Sequence, residues 1–278
     1  MSETALEANQ AAYVEVDLNY IIDDGQTPVM YVDWPEEAHK AHPPSYEAHR
    51  CRITDGRPMA GDFELSVFGF TFLNHPSKVA DFYDPDEIKA VYEAEVSDLI
   101  KSQMGASEVV VFDHTFRTAD DAIAAENNTR APVKAVHNDY TAGSARQRVL
   151  DILPADAAEA RLKKRFAIVQ TWRPINHPVQ SEPFALCDGR TIPETGFIAL
   201  QRRYQHRTAE TYHISYSAGL KWYYFPEMAP DEVLVFKVFD SDKTEGVPFT
   251  AHTAFDHPDT PADARPRESV ESRALVFF

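Results

Sequence analysis

The chain has 278 residues, 44% of them hydrophobic, and a formal net charge of −17 from 44 acidic and 27 basic residues. That length buries one sizeable core, so a single domain over residues 1–278 is expected, and the acidic excess argues against nucleic acid and anionic membrane surfaces as partners. A ligand bearing carboxylates must then be met by individually placed arginines that overcome the global field.

Cys51 and Cys187 are the only cysteines and lie far apart, which points to two buried free thiols in a reducing, cytoplasmic setting rather than a disulfide framework or cysteine metal cluster. The acidic start lacks the basic and apolar regions of a signal peptide. No apolar run approaches the roughly 18 residues of a membrane span.

Residues 1 to about 12 read as a frayed lead-in. Two short extended pieces follow between Tyr13 and Val32, broken by the turn sequence Asp23-Asp24-Gly25. The proline-rich segment from Pro35 to Pro58 is expected to be a loop packed on the domain, so that residues 1–63 form an extension to a core spanning 64–278. Glu64 to Phe72 alternates and is aromatic, as a strand does. Asp84-Pro85-Asp86-Glu87 opens the clearest helix, with an Asp cap, Pro at the first helical position and acidic residues facing the positive end of the helix dipole. Its apolar residues Ile88, Val91, Val96, Leu99 and Ile100 recur at near-helical spacing. Further helices are expected from Thr118 to Glu126 and from Ala155 to Arg165.

Beyond Glu108 nine short strands are expected, at residues 109–112, 134–137, 166–172, 184–186, 211–216, 221–225, 232–239, 250–255 and 268–278. Turn-rich gaps separate them, and the nucleotide fingerprints GxGxxG and GxxxxGK[ST] are absent. The fold class expected is mainly β with flanking helices, a double-stranded β-helix (jelly roll, cupin-like).

Chemistry concentrates in three places. His137-Asn138-Asp139 sets an imidazole and a carboxylate at i and i+2, on one side of an extended segment, so both can reach one ion. A third ligand is offered by His252 in Thr250-Ala251-His252-Thr253-Ala254-Phe255. Two histidines and one carboxylate make the facial triad of non-haem iron(II) oxygenases, which leaves adjacent positions for a chelating cosubstrate and dioxygen. Arg267-Glu268-Ser269 follows at the start of the last strand. If 2-oxoglutarate chelates the iron through its 2-oxo acid end, its far carboxylate needs a cationic fork and a hydroxyl on the same strand face, which Arg267 and Ser269 supply. His213, also in a strand, is the rival third ligand.

On these residues, with Thr171-Trp172-Arg173-Pro174 and Pro266-Arg267-Glu268-Ser269-Val270-Glu271, the chain resembles the aspergillic-acid-type hydroxylase/desaturase family over roughly Glu64 to Phe278. The resemblance implies an iron(II)/2-oxoglutarate enzyme of secondary metabolism that hydroxylates, desaturates or cyclises a small molecule, with succinate as the product of the cosubstrate. It also implies His137, Asp139 and His252 as iron ligands and Arg267 with Ser269 as the cosubstrate clamp. The spacing from His252 to Arg267 leaves Arg273 as an alternative to Arg267.

Arg173 closes an apolar strand and either binds the cosubstrate or substrate or pairs inside the core. Tyr140, Thr141 and Trp222 are candidate substrate contacts, with ordinary packing as their alternative. Two other functions fit parts of this pattern: a cupin-like metal oxidase that needs no 2-oxoglutarate and hence no arginine clamp, and a non-catalytic jelly-roll binding protein. No heptad or apolar stripe assigns an oligomeric state.

Overall fold

The computed structural model describes residues 12–244 and 246–278, which form two facing β-sheets with helices packed around them; the expected N-terminal lead-in lies outside the described residues but for Ala12. The larger sheet runs β1 (Tyr13–Ile21), β3 (Tyr46–Asp55), β11 (Trp222–Tyr224), β8 (Phe184–Cys187), β13 (His252–Ala254), β6 (His137–Asn138), β10 (Thr208–Ile214), β9 (Phe197–Arg203) and β2 (Val29–Tyr31). The smaller runs β4 (Phe70–Asn74), β12 (Glu232–Asp240), β7 (Phe166–Pro174), β14 (Glu268–Phe277) and β5 (Glu108–Thr118). Two sheets whose neighbours are mostly not consecutive in the chain are the jelly roll that the strand pattern predicts.

The smaller sheet explains the near-continuous apolar runs of β7, β12 and β14. Each is covered on both faces, so neither face is free to be polar. One face packs on the larger sheet through Phe166, Ile168, Trp172, Phe236, Leu275 and Phe277. The other meets the helical segment of α1 (Pro85–Glu87), a π-helical turn at Ile88–Tyr92, and α2 (Glu93–Met104), through Tyr92, Val96, Leu99 and Ile100 against Val169, Val235, Val270 and Ala274. The start of this segment is fixed by its sequence: the Asp84 carboxylate accepts from the Asp86 backbone N–H, and Pro85 occupies the first helical position. Gly105 ends it in the left-handed region at φ 64°.

The N-terminal segment departs from the expected loop. Tyr46–Asp55 is a full strand, paired along its whole length with β1 and in parallel with β11. Its side chains are mostly exposed or half-buried and only Ile53 is fully buried, so the hydrophobic alternation that marks a strand is faint. Backbone pairing, not side-chain burial, defines it. A bridge between Asn19 and Ala135 brings β1 back to the segment leading into β6. The sheet thus curls around a separate apolar cluster with Leu18, Tyr20, Ile53 and Trp222 at its centre.

Other boundaries shift. Residues 65–69 turn, and β4 begins only at Phe70. β9 and the helix α4 (Ala142–Ile152) were not among the expected elements; α3 (Asp121–Asn127) and α5 (Ala155–Arg161) were, with shorter or shifted spans. Cys187 is buried, whereas Cys51 is only half-buried, its Sγ 3.3 Å from the Tyr20 hydroxyl. No helix among the described residues is long and apolar enough to cross a membrane.

Leu18→Ala is expected to lower unfolding free energy by about 2–5 kcal/mol in denaturant titrations, the usual cost of a large-to-small change in a closed core. A loss below about 0.5 kcal/mol would mean that the N-terminal strands pack loosely on the sheet.

Candidate active site

β6 is two residues long and is paired on both sides. His137 stands opposite His213 of β10 and opposite His252 of β13. Asn138, between the two potential ligands, points the other way: its Nδ2 donates to the carbonyls of Tyr140 and Val238, which pins the chain leaving β6 against β12. His137 and Asp139 therefore share one side, and His252 reaches the same point from the neighbouring strand. One ligand atom from each of His137, Asp139 and His252 lies within 4.8 Å of the others.

Each member is held by a neighbour. His137 Nδ1 lies 2.7 Å from the Ala135 carbonyl, which fixes the tautomer with the Nε2 lone pair free, 3.5 Å from Asp139 Oδ1. Arg273 Nε donates to Asp139 Oδ2 at 2.8 Å, leaving Oδ1 on the side of the histidines. Burial works against the Asp139 carboxylate, but Arg273 and the two histidines outweigh it and hold the group well below the usual carboxylate range. Burial, and then His137, hold the His252 imidazole well below its ordinary value. Neutral imidazoles with a carboxylate are the protonation states a divalent metal requires.

His213, the rival ligand, lies beside this group but outside it. Its ring is stacked 5.8 Å from His137, and its Nδ1 is hydrogen-bonded to the Tyr46 hydroxyl at 3.0 Å. Burial, followed by the charges of His137 and Arg202, pushes it down to about 3.

Arg267 is fully buried; its guanidinium donates from Nη1 to the Glu182 carbonyl at 2.5 Å, and its backbone N–H donates to the Ser181 hydroxyl. Its Nε, the Ser269 hydroxyl, Trp172 Nε1 and His252 Nδ1 are all buried without a partner. Burial brings the Arg267 guanidinium down to about 10 despite the fields of Glu271 and Glu182. A buried cation with an unused N–H beside an unused hydroxyl is a cradle for an anion. Contacts link it to the triad: Arg267 lies 5.4 Å from the Trp172 ring, Trp172 stacks on Phe184 at 4.9 Å, and Phe184 on His252 at 5.3 Å. The donor set and this cradle fit a divalent metal and a dicarboxylate.

Three expected contacts lie elsewhere. Arg173 follows Trp172 in β7 and so faces the opposite side of the sheet, over the Tyr92 ring and donating to the His75 carbonyl. Trp222 points into the N-terminal cluster, where its Nε1 donates to the Tyr20 hydroxyl. Thr141 caps α4 through a reciprocal pair with Ser144 and bonds Glu210. Tyr140 does line the cavity at the triad, its hydroxyl accepting from Arg148 Nε.

Arg273, by spacing an alternative to Arg267 as the clamp, is instead the partner of Asp139, Asp113 and Glu271. Glu271 also accepts from Arg117 Nε at 2.5 Å, so one buried carboxylate joins two arginines. Neither link has a local motif, though period-two spacing from Ser269 would have placed Glu271 and Arg273 on the same face. Glu271→Gln, which leaves both arginines without that charge, is expected to cost about 3–5 kcal/mol. A denaturation midpoint unchanged from wild type would contradict this.

Comparison with known proteins agrees with the geometry. Residues 18–277 match the family described as oxidoreductase/YMDC permease-like domain. The Fe(II)/2-oxoglutarate-dependent dioxygenase nvfI of Aspergillus novofumigatus is 34% identical over 84% of either chain. The hydroxylase/desaturase efuI of Hormonema carpetanum is 32% identical over 84% of this chain and 85% of its own. The solved iron and alpha-ketoglutarate-dependent endoperoxidase NvfI superposes with a TM-score of 0.83 at 29% identity, covering 95% of this chain and 98% of that one. The chain belongs to the family of Fe(II)/2-oxoglutarate-dependent dioxygenases.

Proposed function

We propose that His137, Asp139 and His252 hold the iron(II), that Arg267 and Ser269 receive the far carboxylate of 2-oxoglutarate, and that one oxygenase domain spanning the chain oxidises a small organic molecule of secondary metabolism. The observation that carries this reading is the pairing of a compact His–Asp–His group with a buried arginine whose Nε has no partner. The iron and cosubstrate, when bound, supply the oxidation: dioxygen is reduced while 2-oxoglutarate loses carbon dioxide and becomes succinate, and the substrate loses hydrogen or gains oxygen.

The chain's own groups contribute position and exclusion of water. Arg273 holds Asp139 Oδ2 so that Oδ1 is presented toward the histidines. Ala135 orients His137, and the Phe184 and Phe236 rings flank His252 and keep its side of the site apolar. Relatives named hydroxylase/desaturase and endoperoxidase support hydroxylation, desaturation or oxidative ring formation as the outcome here. The narrower likeness to aspergillic-acid-type enzymes forms part of this reading and rests on the motifs around His137, Trp172, His252 and Arg267.

Anaerobic addition of iron(II) and 2-oxoglutarate to metal-free protein is expected to give the weak visible charge-transfer band of the chelate. Asp139→Ala is expected to abolish it, and Arg267→Met to raise the 2-oxoglutarate concentration needed by about tenfold or more, the loss of a charge-assisted pair. A wild-type protein without the band would sink the reading, and an unaffected Arg267→Met would favour a metal oxidase that does not use 2-oxoglutarate.

Arg273→Met is expected to weaken iron(II) affinity by about 10–100-fold, as loss of a group that orients a metal ligand does, with a smaller effect in Arg273→Lys. Equal affinities in a direct iron titration of folded protein would remove Arg273 from this role.

A further inference from the structure

A cavity of about 1220 Å³ opens beside the triad, bounded by β5, α4 and the β9–β10 hairpin. Six arginines line it against four carboxylates, Asp113, Asp139, Asp151 and Glu210, in a chain with 44 acidic and 27 basic residues. The local balance is thus the reverse of the global one.

The arginines divide into two kinds. Arg117 and Arg273 are buried and face carboxylates, as do the half-buried Arg57 and Arg165 elsewhere. Arg130, Arg148, Arg202 and Arg207 have no carboxylate partner among the described residues, although all four border the cavity. Two acids of the same lining are engaged by neutral donors: Asp151 by Gln147, and Glu210 by Thr141 and Gln201.

Two of the four flank the metal ligands. Arg148 is half-buried and held by its Nε on the Tyr140 hydroxyl, one residue from Asp139, which leaves its Nη groups without an acceptor. Arg202 lies in β9 on the other wall, paired along β10, the strand that carries His213, the stacked neighbour of His137. Phe112, whose ring lies 5.5 Å from the Arg148 guanidinium, and Val133 add apolar surface to the lining.

We propose that this cavity receives an organic acid with an apolar body, its carboxylate held by Arg148 and Arg202 while the body lies toward the triad. The inference rests on the iron site as read above and names its substrate class. An anionic group explains why four arginines without carboxylate partners border one opening of an acidic protein, and Phe112, Tyr140 and Val133 in the same lining give an apolar body surface to pack on.

The test uses holoprotein with iron(II) and 2-oxoglutarate under anaerobic conditions. Cyclohexanecarboxylic, cinnamic and abietic acids are titrated by calorimetry, each beside its methyl ester. At least one acid is expected to bind about tenfold or more tightly than its ester, the worth of one charge-assisted hydrogen bond. Arg148→Gln and Arg202→Gln are each expected to shrink that preference severalfold while ester affinity and the iron–cosubstrate band stay as in wild type. Equal affinity of every acid and its ester, including none for either at millimolar concentration, overturns the proposal. So does a preference that survives the double variant. A double variant that loses 2-oxoglutarate affinity but keeps the acid preference would assign these arginines to the cosubstrate, which also overturns it. Absence of the band in wild-type protein is a separate result and would overturn the iron site itself.

Discussion

Along β14 every second side chain points into the space between the two sheets, so Arg267 just before it and Ser269, Glu271 and Arg273 within it stand on one face, while Val270, Ala274 and Val276 pack beneath the helix on the other. One strand therefore delivers an anion cradle, a bridging carboxylate and the guanidinium that fixes Asp139, in that order. A one-residue slip would put Glu268, Val270, Ser272 and Ala274 in their places and remove both arginines from that face. Pairing with β7 along Ser269 to Phe277 on one side and with β5 on the other holds the register.

Burying these charges is tolerable because they are matched. Arg117, Glu271, Arg273 and Asp139 alternate in sign along a continuous chain of contacts, so no member faces only its own kind. Arg267 stands outside that chain. A divalent cation and a dicarboxylate anion together add no net charge, so loading both leaves the balance of the interior as it was. Loading either alone would not, and this couples the two binding events electrostatically.

The sequence makes one half of the site legible and hides the other. His137 with Asp139, and Arg267 with Ser269, are pairs at the spacing that a strand converts into a shared face, so their chemistry can be read without coordinates. The meeting of His137 with His252 depends on β6 pairing with β13, across more than a hundred residues of chain, and no local signal encodes it. Arg173 and Trp222 show the same limit from the opposite side. β7 is buried on both faces and β11 is aromatic at every position, so in neither strand does composition tell one face from the other. β3 failed for a different reason, since its strand character resides in backbone pairing while its side chains stay largely in solvent.

That missed strand bears on the metal site. His213 and His252 both stand opposite His137, one on each neighbouring strand, so pairing alone offers two candidates for the third ligand. Geometry separates them: His252 stands with Asp139 in the compact group, whereas His213 lies outside it with its Nδ1 on the hydroxyl of Tyr46, the first residue of β3. The N-terminal strands thus do more than cover a sheet edge. By holding the ring of one histidine of a near-symmetric pair, they help set that ring apart from the compact His–Asp–His group, although the composition of the segment suggests a linker.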